Sequence, residues 1–140
     1  MNKYQDDKKY PHSKITEKII NLTFKVFNEL GYGLAEKIYQ RALAIELENS
    51  KIIFKRECYG AISYNGSTIG KYFLDFLIDG KVAVELKVRN EIYKSHVSQL
   101  LNYLKSRNLQ IGLLLVISKD GVKIKRLINK ISDYQRNKSE

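Results

Sequence analysis

The sequence predicts an α/β fold in which helices flank a mixed β-sheet. Three observations support this class. Apolar residues recur at helical spacing in the first third of the chain, and they alternate with a period of two in the middle. The run IGLLLVIS (111–118) is apolar throughout, which is typical of a strand buried on both faces. Taken with the turn signals, these patterns give the element order ααβββαββ.

Two helices are predicted first. Ser13 is a candidate N-cap for a helix with apolar residues at spacings of three and four. These residues are Ile15, Ile19, Leu22, Val26 and Leu30. Gly31 and Gly33 end this helix, because glycine readily adopts a left-handed turn. A second helix over about 34–49 carries Glu36, Tyr39 and Leu43 on one stripe.

The rest of the predicted sheet follows from turn signals. Residues 52–64 and 68–78 are joined by Asn65-Gly66, and a turn at Asp79-Gly80 leads into a strand over 82–88. A helix over about 91–107 then connects to the buried strand at 111–118. Asp120-Gly121 turns the chain into VKIKRLI, an edge strand with its lysines outward.

The length of 140 residues predicts one domain, over 13–130, with a flexible lead-in at 1–12 and a basic tail at 131–140. A single cysteine excludes a disulfide framework and a cysteine-rich zinc site. The first residues lack the apolar region of a signal peptide, and no apolar run is long enough to span a membrane. We therefore expect a cytoplasmic protein that is not embedded in a membrane.

A net charge of +10 and a pI near 9.6 favour a polyanionic partner, usually nucleic acid and less often an anionic membrane surface. Residues 119 to 138 contain seven Lys or Arg and two Asp. The candidate nucleic-acid-binding residues are Lys119, Lys123, Lys125, Arg126 and Lys130, which would contact phosphates without reading sequence. The alternative is a lysine-rich edge and tail that only keep the protein in solution.

The hairpin DFLIDGKVAVELKV (75–88) places Asp75, Glu85 and Lys87 among aliphatic residues. A two-residue loop at Asp79-Gly80 would send Asp75 and Glu85 to opposite faces, whereas a three-residue loop puts all three ionisable groups on one face. In the second register the other face is wholly apolar. That face comprises Leu74, Phe76, Ile78, Val82, Val84, Leu86 and Val88. The segregation therefore predicts a loop of odd length.

Two neighbouring carboxylates raise each other's pKa unless a cation lies between them. Hard oxygen ligands favour Mg²⁺ or Mn²⁺ over zinc. Lys87 could hold an attacking water or stabilise developing phosphate charge. The alternative is that all three are solvated residues on the exposed face of a sheet.

Asp75 followed by Glu85-Leu86-Lys87 resembles the D…(D/E)-x-K signature of the PD-(D/E)XK nuclease superfamily, whose restriction-endonuclease-like core has a similar element order. Gly33 to Tyr39 reads G-x-x-E-x-x-Y and resembles the GxxExxY family within that superfamily. The resemblance covers roughly residues 15 to 128. Two features depart from it: Leu74 replaces the proline, and Val116-Ile117-Ser118 stands where many members have Asn-Phe.

The resemblance implies a Mg²⁺-dependent nuclease that hydrolyses phosphodiester bonds, with DNA favoured over RNA as the substrate. It implies metal ligation by Asp75, Glu85, the Leu86 carbonyl and Glu36, with Lys87 and Gln99 as further catalytic residues. Tyr39, His96 and Tyr103 would line the site. From its position in the helix stripe alone, Tyr39 is expected to be a packing residue whose hydroxyl bonds a site carboxylate. The alternatives are a non-catalytic nucleic-acid-binding module and a protein-interaction subunit of a larger complex. A homodimer also stays open.

Overall fold

The computed structural model describes residues 11–130, so most of the predicted lead-in and the whole of the predicted tail lie outside it. The element order is the predicted ααβββαββ. The helices are α1 (Ser13–Leu30), α2 (Glu36–Asn49) and α3 (Lys94–Arg107). The strands are β1 (Phe54–Tyr64), β2 (Ser67–Ile78), β3 (Val82–Val88), β4 (Ile111–Ser118) and β5 (Gly121–Ile128).

The five strands form one mixed sheet in the order β1-β2-β3-β4-β5. Neighbouring strands are antiparallel except β3 and β4, which α3 connects and which run parallel. Every residue of β4 is buried, as its continuous apolar sequence predicts. Helix α3, which makes this crossover, lies on the face of the sheet opposite α1 and α2.

Two apolar clusters cover the two faces of the sheet. The first joins α1 and α2 to the sheet and includes Ile19, Val26, Tyr39, Leu43, Leu47, Phe76, Ile78, Val84, Leu86, Leu113 and Leu115. The second joins α3 to the sheet and includes Tyr72, Leu74, Ala83, Leu100, Tyr103, Leu104, Leu114 and Val116. The sheet is thus a middle layer between helices, and the side chains of β3 alternate between the two clusters.

The loop between β2 and β3 has three residues, because Ile78 pairs with Val82. Asp79 and Gly80 both adopt positive φ, at 55° and 65°. The predicted odd-length loop is confirmed, and with it the expectation that the ionisable residues of β3 lie away from the cluster under α1 and α2.

The predicted apolar face was wrong at Leu74, which packs with Tyr72 in the α3 cluster instead of beside Phe76. The buried side chains of β2 change cluster between Leu74 and Phe76. Opposite this point on β1, Cys58 pairs with Leu74 and Arg56 pairs with Phe76, and Glu57 between them has φ 50°. Cys58 also packs against the α3 cluster, so both strands of the ribbon change side at this point, next to Asp75.

Helix α1 begins without a side-chain cap. Ser13 was expected to be the N-cap but is the first helical residue, while His12 holds the cap position with φ 57°. The Thr16 hydroxyl donates to the Ser13 carbonyl at 3.1 Å.

None of the helices in residues 11–130 is both long enough and apolar enough to cross a membrane.

Candidate active site

Asp75 and Glu85 meet where the pairing between β2 and β3 stops at Phe76–Val84. The backbone N–H of Asp75 donates to Oε1 of Glu85 at 3.2 Å, and the N–H of Leu86 donates to Oδ2 of Asp75 at 2.8 Å. Each carboxylate therefore accepts a backbone hydrogen bond from the strand facing it. These bonds hold the two acids against each other, on the predicted common face.

Burial raises the pKa of both acids. Glu85 is 6% exposed, and burial followed by the negative charge of Asp75 raises its pKa to about 8. Burial also raises the pKa of Asp75, although the Leu86 N–H and the charge of Lys87 oppose the increase. A nearby cation would therefore stabilise the ionised forms of both carboxylates.

Lys87 supplies part of that positive charge. Its Nζ lies 3.9 Å from Oε2 of Glu85, and the side chains of both residues are mostly buried. Tyr103 of α3 lies close enough that its pKa is raised by burial first and then by the charges of Glu85 and Asp75. The Tyr103 ring stacks on Tyr72 with centroids 3.9 Å apart. The site is therefore on the α3 side of the sheet.

Glu36, the first residue of α2, reaches the end of β3. Its Oε1 accepts a hydrogen bond from the Val88 N–H at 2.9 Å and lies 3.9 Å from the Arg89 guanidinium. The Arg89 side chain also donates to the Val88 carbonyl at 2.7 Å. Glu36 thus holds the strand end that carries Lys87, and its contacts are with the Val88 backbone and the Arg89 side chain.

The glycine loop before α2 is held by Tyr39. The Tyr39 side chain is fully buried, its hydroxyl donates to the Gly31 carbonyl at 2.6 Å, and it accepts from the Leu34 N–H at 3.2 Å. The expected bond from this hydroxyl to a site carboxylate is therefore wrong. Gly33 adopts φ 113° within the loop. Together the Gly and Tyr of the motif shape the loop that delivers Glu36 to β3.

His96 and Gln99 lie at the start of α3. The His96 Nδ1 is buried without a hydrogen-bond partner among the described residues, and its ring lies 5.4 Å from that of Tyr93. Burial, then the positive charges of Lys87 and Arg89, lower the His96 pKa. Gln99 is exposed. The effect of Lys87 and Arg89 on its pKa places His96 near the end of β3.

The predicted basic residues do not share one face. On β5, Lys125 pairs with Leu114 of the α3 cluster, whereas Arg126 pairs with Leu113 of the other cluster. Lys123 lies on the same face as Lys125, and its Nζ donates to the Asn90 carbonyl at 2.8 Å. Lys119 lies in the turn before β5, and Lys130 follows the strand. Only part of the set faces α3.

This architecture matches known proteins at the level of family and fold. Residues 13–127 match a family model described as the PD-(D/E)XK nuclease superfamily. The chain belongs to this superfamily. A search of curated proteins finds no match.

Two solved structures share the fold. The first is the crystal structure of a protein named SSO0001, with a TM-score of 0.55 and 15% identity, over 86% of this chain and 80% of that one. The second is an alkaline exonuclease (LHK-Exo) from Laribacter hongkongensis, with a TM-score of 0.50 and 11% identity, over 85% of this chain and 71% of that one.

The acids of this PD-(D/E)XK protein fit a hard divalent cation. Asp75 and Glu85 offer oxygen donors, and burial raises the pKa of both, an increase that the charge of Lys87 opposes only in part. Within residues 11–130 no three His, Cys, Asp or Glu side chains are grouped as metal ligands. Mg²⁺ is commonly bound through only one or two carboxylates plus waters and substrate phosphates, so two acids suffice.

Sequence reasoning missed Arg89 and Tyr72. Arg89 follows Lys87 by two residues, so the period of a strand extended past Val88 could have indicated it. Tyr72, which stacks on Tyr103 and bonds the Ser106 hydroxyl at 2.6 Å, had no signal in the sequence because its partners lie on α3.

Proposed function

We propose that this protein is a metal-dependent nuclease that hydrolyses phosphodiester bonds, with DNA favoured over RNA as the substrate. The observation that carries the proposal is the meeting of Asp75 and Glu85 across β2 and β3, with Lys87 3.9 Å from Glu85. Membership of a nuclease superfamily and the exonuclease named among its fold neighbours support the same activity.

In this proposal Asp75 and Glu85 hold Mg²⁺ or Mn²⁺, with the Leu86 carbonyl as a further ligand and Glu36 contributing through water. When bound, the ion supplies charge neutralisation at the phosphoryl group and a lowered pKa for a water. The two backbone hydrogen bonds would hold both carboxylates in position for the ion. That preorganisation limits the reorganisation needed at the moment of reaction.

Lys87 has the central role among the protein's own groups. Its ammonium lies beside Glu85 and would orient the attacking water and stabilise charge on the scissile phosphate. Glu36 supports this by accepting the Val88 N–H, which holds the residue after Lys87 in place. Lys87 would therefore act from a strand end with a fixed backbone.

Residues of α3 would complete the site. Tyr103 would cover the two carboxylates and exclude water from one side of them. His96 and Gln99 lie one helical turn apart and would contact the substrate strand or its waters. We also propose that the protein belongs to the GxxExxY family and uses Mg²⁺. A cytoplasmic location and a homodimer complete the proposal.

A cleavage assay with matched variants tests the proposal. Labelled single-stranded, duplex and branched DNA, and a single-stranded RNA, are incubated with protein and Mg²⁺ or Mn²⁺. Asp75→Asn and Lys87→Ala are compared with Asp79→Asn and Lys81→Ala, which make the same charge changes in the turn of the same hairpin. We expect a loss of about 100-fold or more for the first pair and little change for the second.

Cleavage that survives both Asp75→Asn and Lys87→Ala would contradict the mechanism. Salt-dependent binding of nucleic acid without metal-dependent cleavage would instead favour the non-catalytic binding module. Absence of binding at low salt would point to the protein-interaction subunit.

A further inference from the structure

A cleft opens between the start of α3 and β5, on the same side of the sheet as the candidate site. Its volume is about 520 Å³, within the range of sites that hold small ligands. The cleft is lined by Ile92, Lys94, Val97, Ser98 and Lys125. These five residues include two cations, one hydroxyl and two aliphatic side chains, and none of them is acidic.

The sheet register places the cleft two strands from the candidate site, since Glu85 pairs with Leu114 and Leu114 pairs with Lys125. Residues 89–92 connect the two regions along the chain: Arg89 lies 3.9 Å from Glu36, and Ile92 lines the cleft. In between, the Asn90 carbonyl accepts the hydrogen bond from Lys123 of β5. This bond ties the segment to the strand that contributes Lys125.

The lining has two chemically different parts. Lys94 of α3 and Lys125 of β5 are both exposed, so their ammonium groups can bind an anionic phosphate with little cost of desolvation. Ile92 and Val97 are partly buried against the α3 cluster and form an apolar surface between the lysines. A nucleotide combines the same two parts, a charged phosphate and a base with an apolar face.

We infer that this cleft binds one unpaired nucleotide of the substrate strand, its phosphate between Lys94 and Lys125 and its base against Ile92 and Val97. The inference rests on the proposed function, because that function supplies a strand at the candidate site on the same side of the sheet. In a duplex the faces of the bases are stacked inside the helix and cannot reach an apolar cleft wall. The cleft therefore selects single-stranded segments or frayed ends over a continuous duplex.

The chain provides a matched control for this subsite. Lys125 and Arg126 are consecutive in β5 and carry the same charge, but they project from opposite faces of the sheet. Removing either charge changes the net charge of +10 by the same amount. Only Lys125 lines the cleft. A difference between the two variants therefore reports on the cleft rather than on net charge.

The experiment measures binding without cleavage. Fluorescence anisotropy of a labelled ten-nucleotide oligothymidylate is followed in EDTA over a series of KCl concentrations. We expect Lys94→Ala and Lys125→Ala each to weaken binding about fivefold or more and to reduce the salt slope by about one. Arg126→Ala should change binding less than twofold. Val97→Ser should weaken binding without changing the salt slope, and a blunt duplex of ten base pairs should bind less tightly to the wild type.

Equal losses for Lys125→Ala and Arg126→Ala would overturn the inference, as would tighter binding of the blunt duplex. Unchanged binding in both lysine variants would overturn it as well. The proposed nuclease activity fails separately, if the wild type shows no metal-dependent cleavage. Because anisotropy is measured in EDTA, loss of the cleft and loss of catalysis give different results.

Discussion

The backbone N–H of Asp75 donates a hydrogen bond to Oε1 of Glu85 at 3.2 Å, and the two carboxylates lie together where β2 and β3 stop pairing. A sheet that places two acids at such a point leaves their charges poorly solvated. The metal-free protein therefore bears an electrostatic cost, and that cost should depend on pH and on added cations.

The stability of the metal-free protein should fall as the pH rises from about 4.5 to about 8. The Glu85 pKa is raised from 4.5 when unfolded to about 8 in the folded chain, so neutral Glu85 favours the folded state. This contribution is complete below about pH 4.5 and is lost as the pH rises through 8. The raised pKa of Asp75 acts in the same direction. Urea unfolding in EDTA between pH 5 and 9 measures the effect.

Glu85→Gln should flatten this pH dependence because the amide does not ionise. Glu48→Gln is a suitable control, since Glu48 is an exposed residue of α2. A Glu85→Gln protein that retained the wild-type slope would show that the destabilisation has another source.

Addition of Mg²⁺ should stabilise the wild type against unfolding. A cation that binds only the folded state contributes about 2.7 kcal/mol when its free concentration is 100 times its Kd. The stabilisation should increase from pH 6 to pH 8, because Glu85 must lose its proton to ligate the ion. Thermal unfolding with and without Mg²⁺, at matched ionic strength, provides the measurement.

Asp75→Asn should abolish the Mg²⁺-dependent shift, whereas Asp79→Asn in the nearby turn should preserve it. A shift of equal size in Asp75→Asn would place the ion elsewhere on the protein.

Glu36→Ala should destabilise the fold by about 1 kcal/mol, because the Val88 N–H loses its acceptor. Glu36→Gln keeps an oxygen in the same position, so its stability should stay near that of the wild type. Comparison of the two variants by urea unfolding tests this structural role.

Cleavage rates of the same variants then distinguish a structural role of Glu36 from a role in metal binding. If Glu36 serves the ion through water, Glu36→Gln should lose cleavage activity while remaining stable. A Gln variant with full cleavage would limit Glu36 to holding the end of β3.

The element order and the register of the central hairpin could be predicted because both depend on local patterns. Apolar periodicity and turn signals define the elements, and separation of apolar from ionisable residues selects the three-residue loop. That same local information places Asp75, Glu85 and Lys87 on one face. The structure agrees for each of these.

Contacts across the fold could not be predicted in the same way. Glu36 meets Val88 across 52 positions of sequence, and no local pattern selects a backbone N–H as its partner. Tyr39 looked suited to a site carboxylate, but its hydroxyl forms hydrogen bonds with backbone groups of Gly31 and Leu34 in the preceding loop. Leu74 packs in the α3 cluster where β1 has a positive φ at Glu57, and hydrophobic alternation does not reveal this change of side.

Gly60→Ala should destabilise the protein by about 1–3 kcal/mol, the usual cost of overpacking. A Cβ at Gly60 would meet the Tyr72 ring at 2.0 Å. Tyr72 cannot easily move, because it stacks on Tyr103 at 3.9 Å and bonds the Ser106 hydroxyl. The substitution should therefore also disturb Tyr103 beside the two carboxylates, and reduce cleavage as well as stability.

Gly70→Ala is the matched control in the same ribbon. A Cβ there would meet only Ile62, at an ordinary distance of 3.8 Å. Its free energy of unfolding should stay within about 0.5 kcal/mol of the wild type, or increase slightly because alanine restricts the unfolded chain. Urea unfolding of both variants tests whether the destabilisation comes from the clash with Tyr72. Equal decreases in the free energy of unfolding would show that this ribbon is destabilised by any added methyl group.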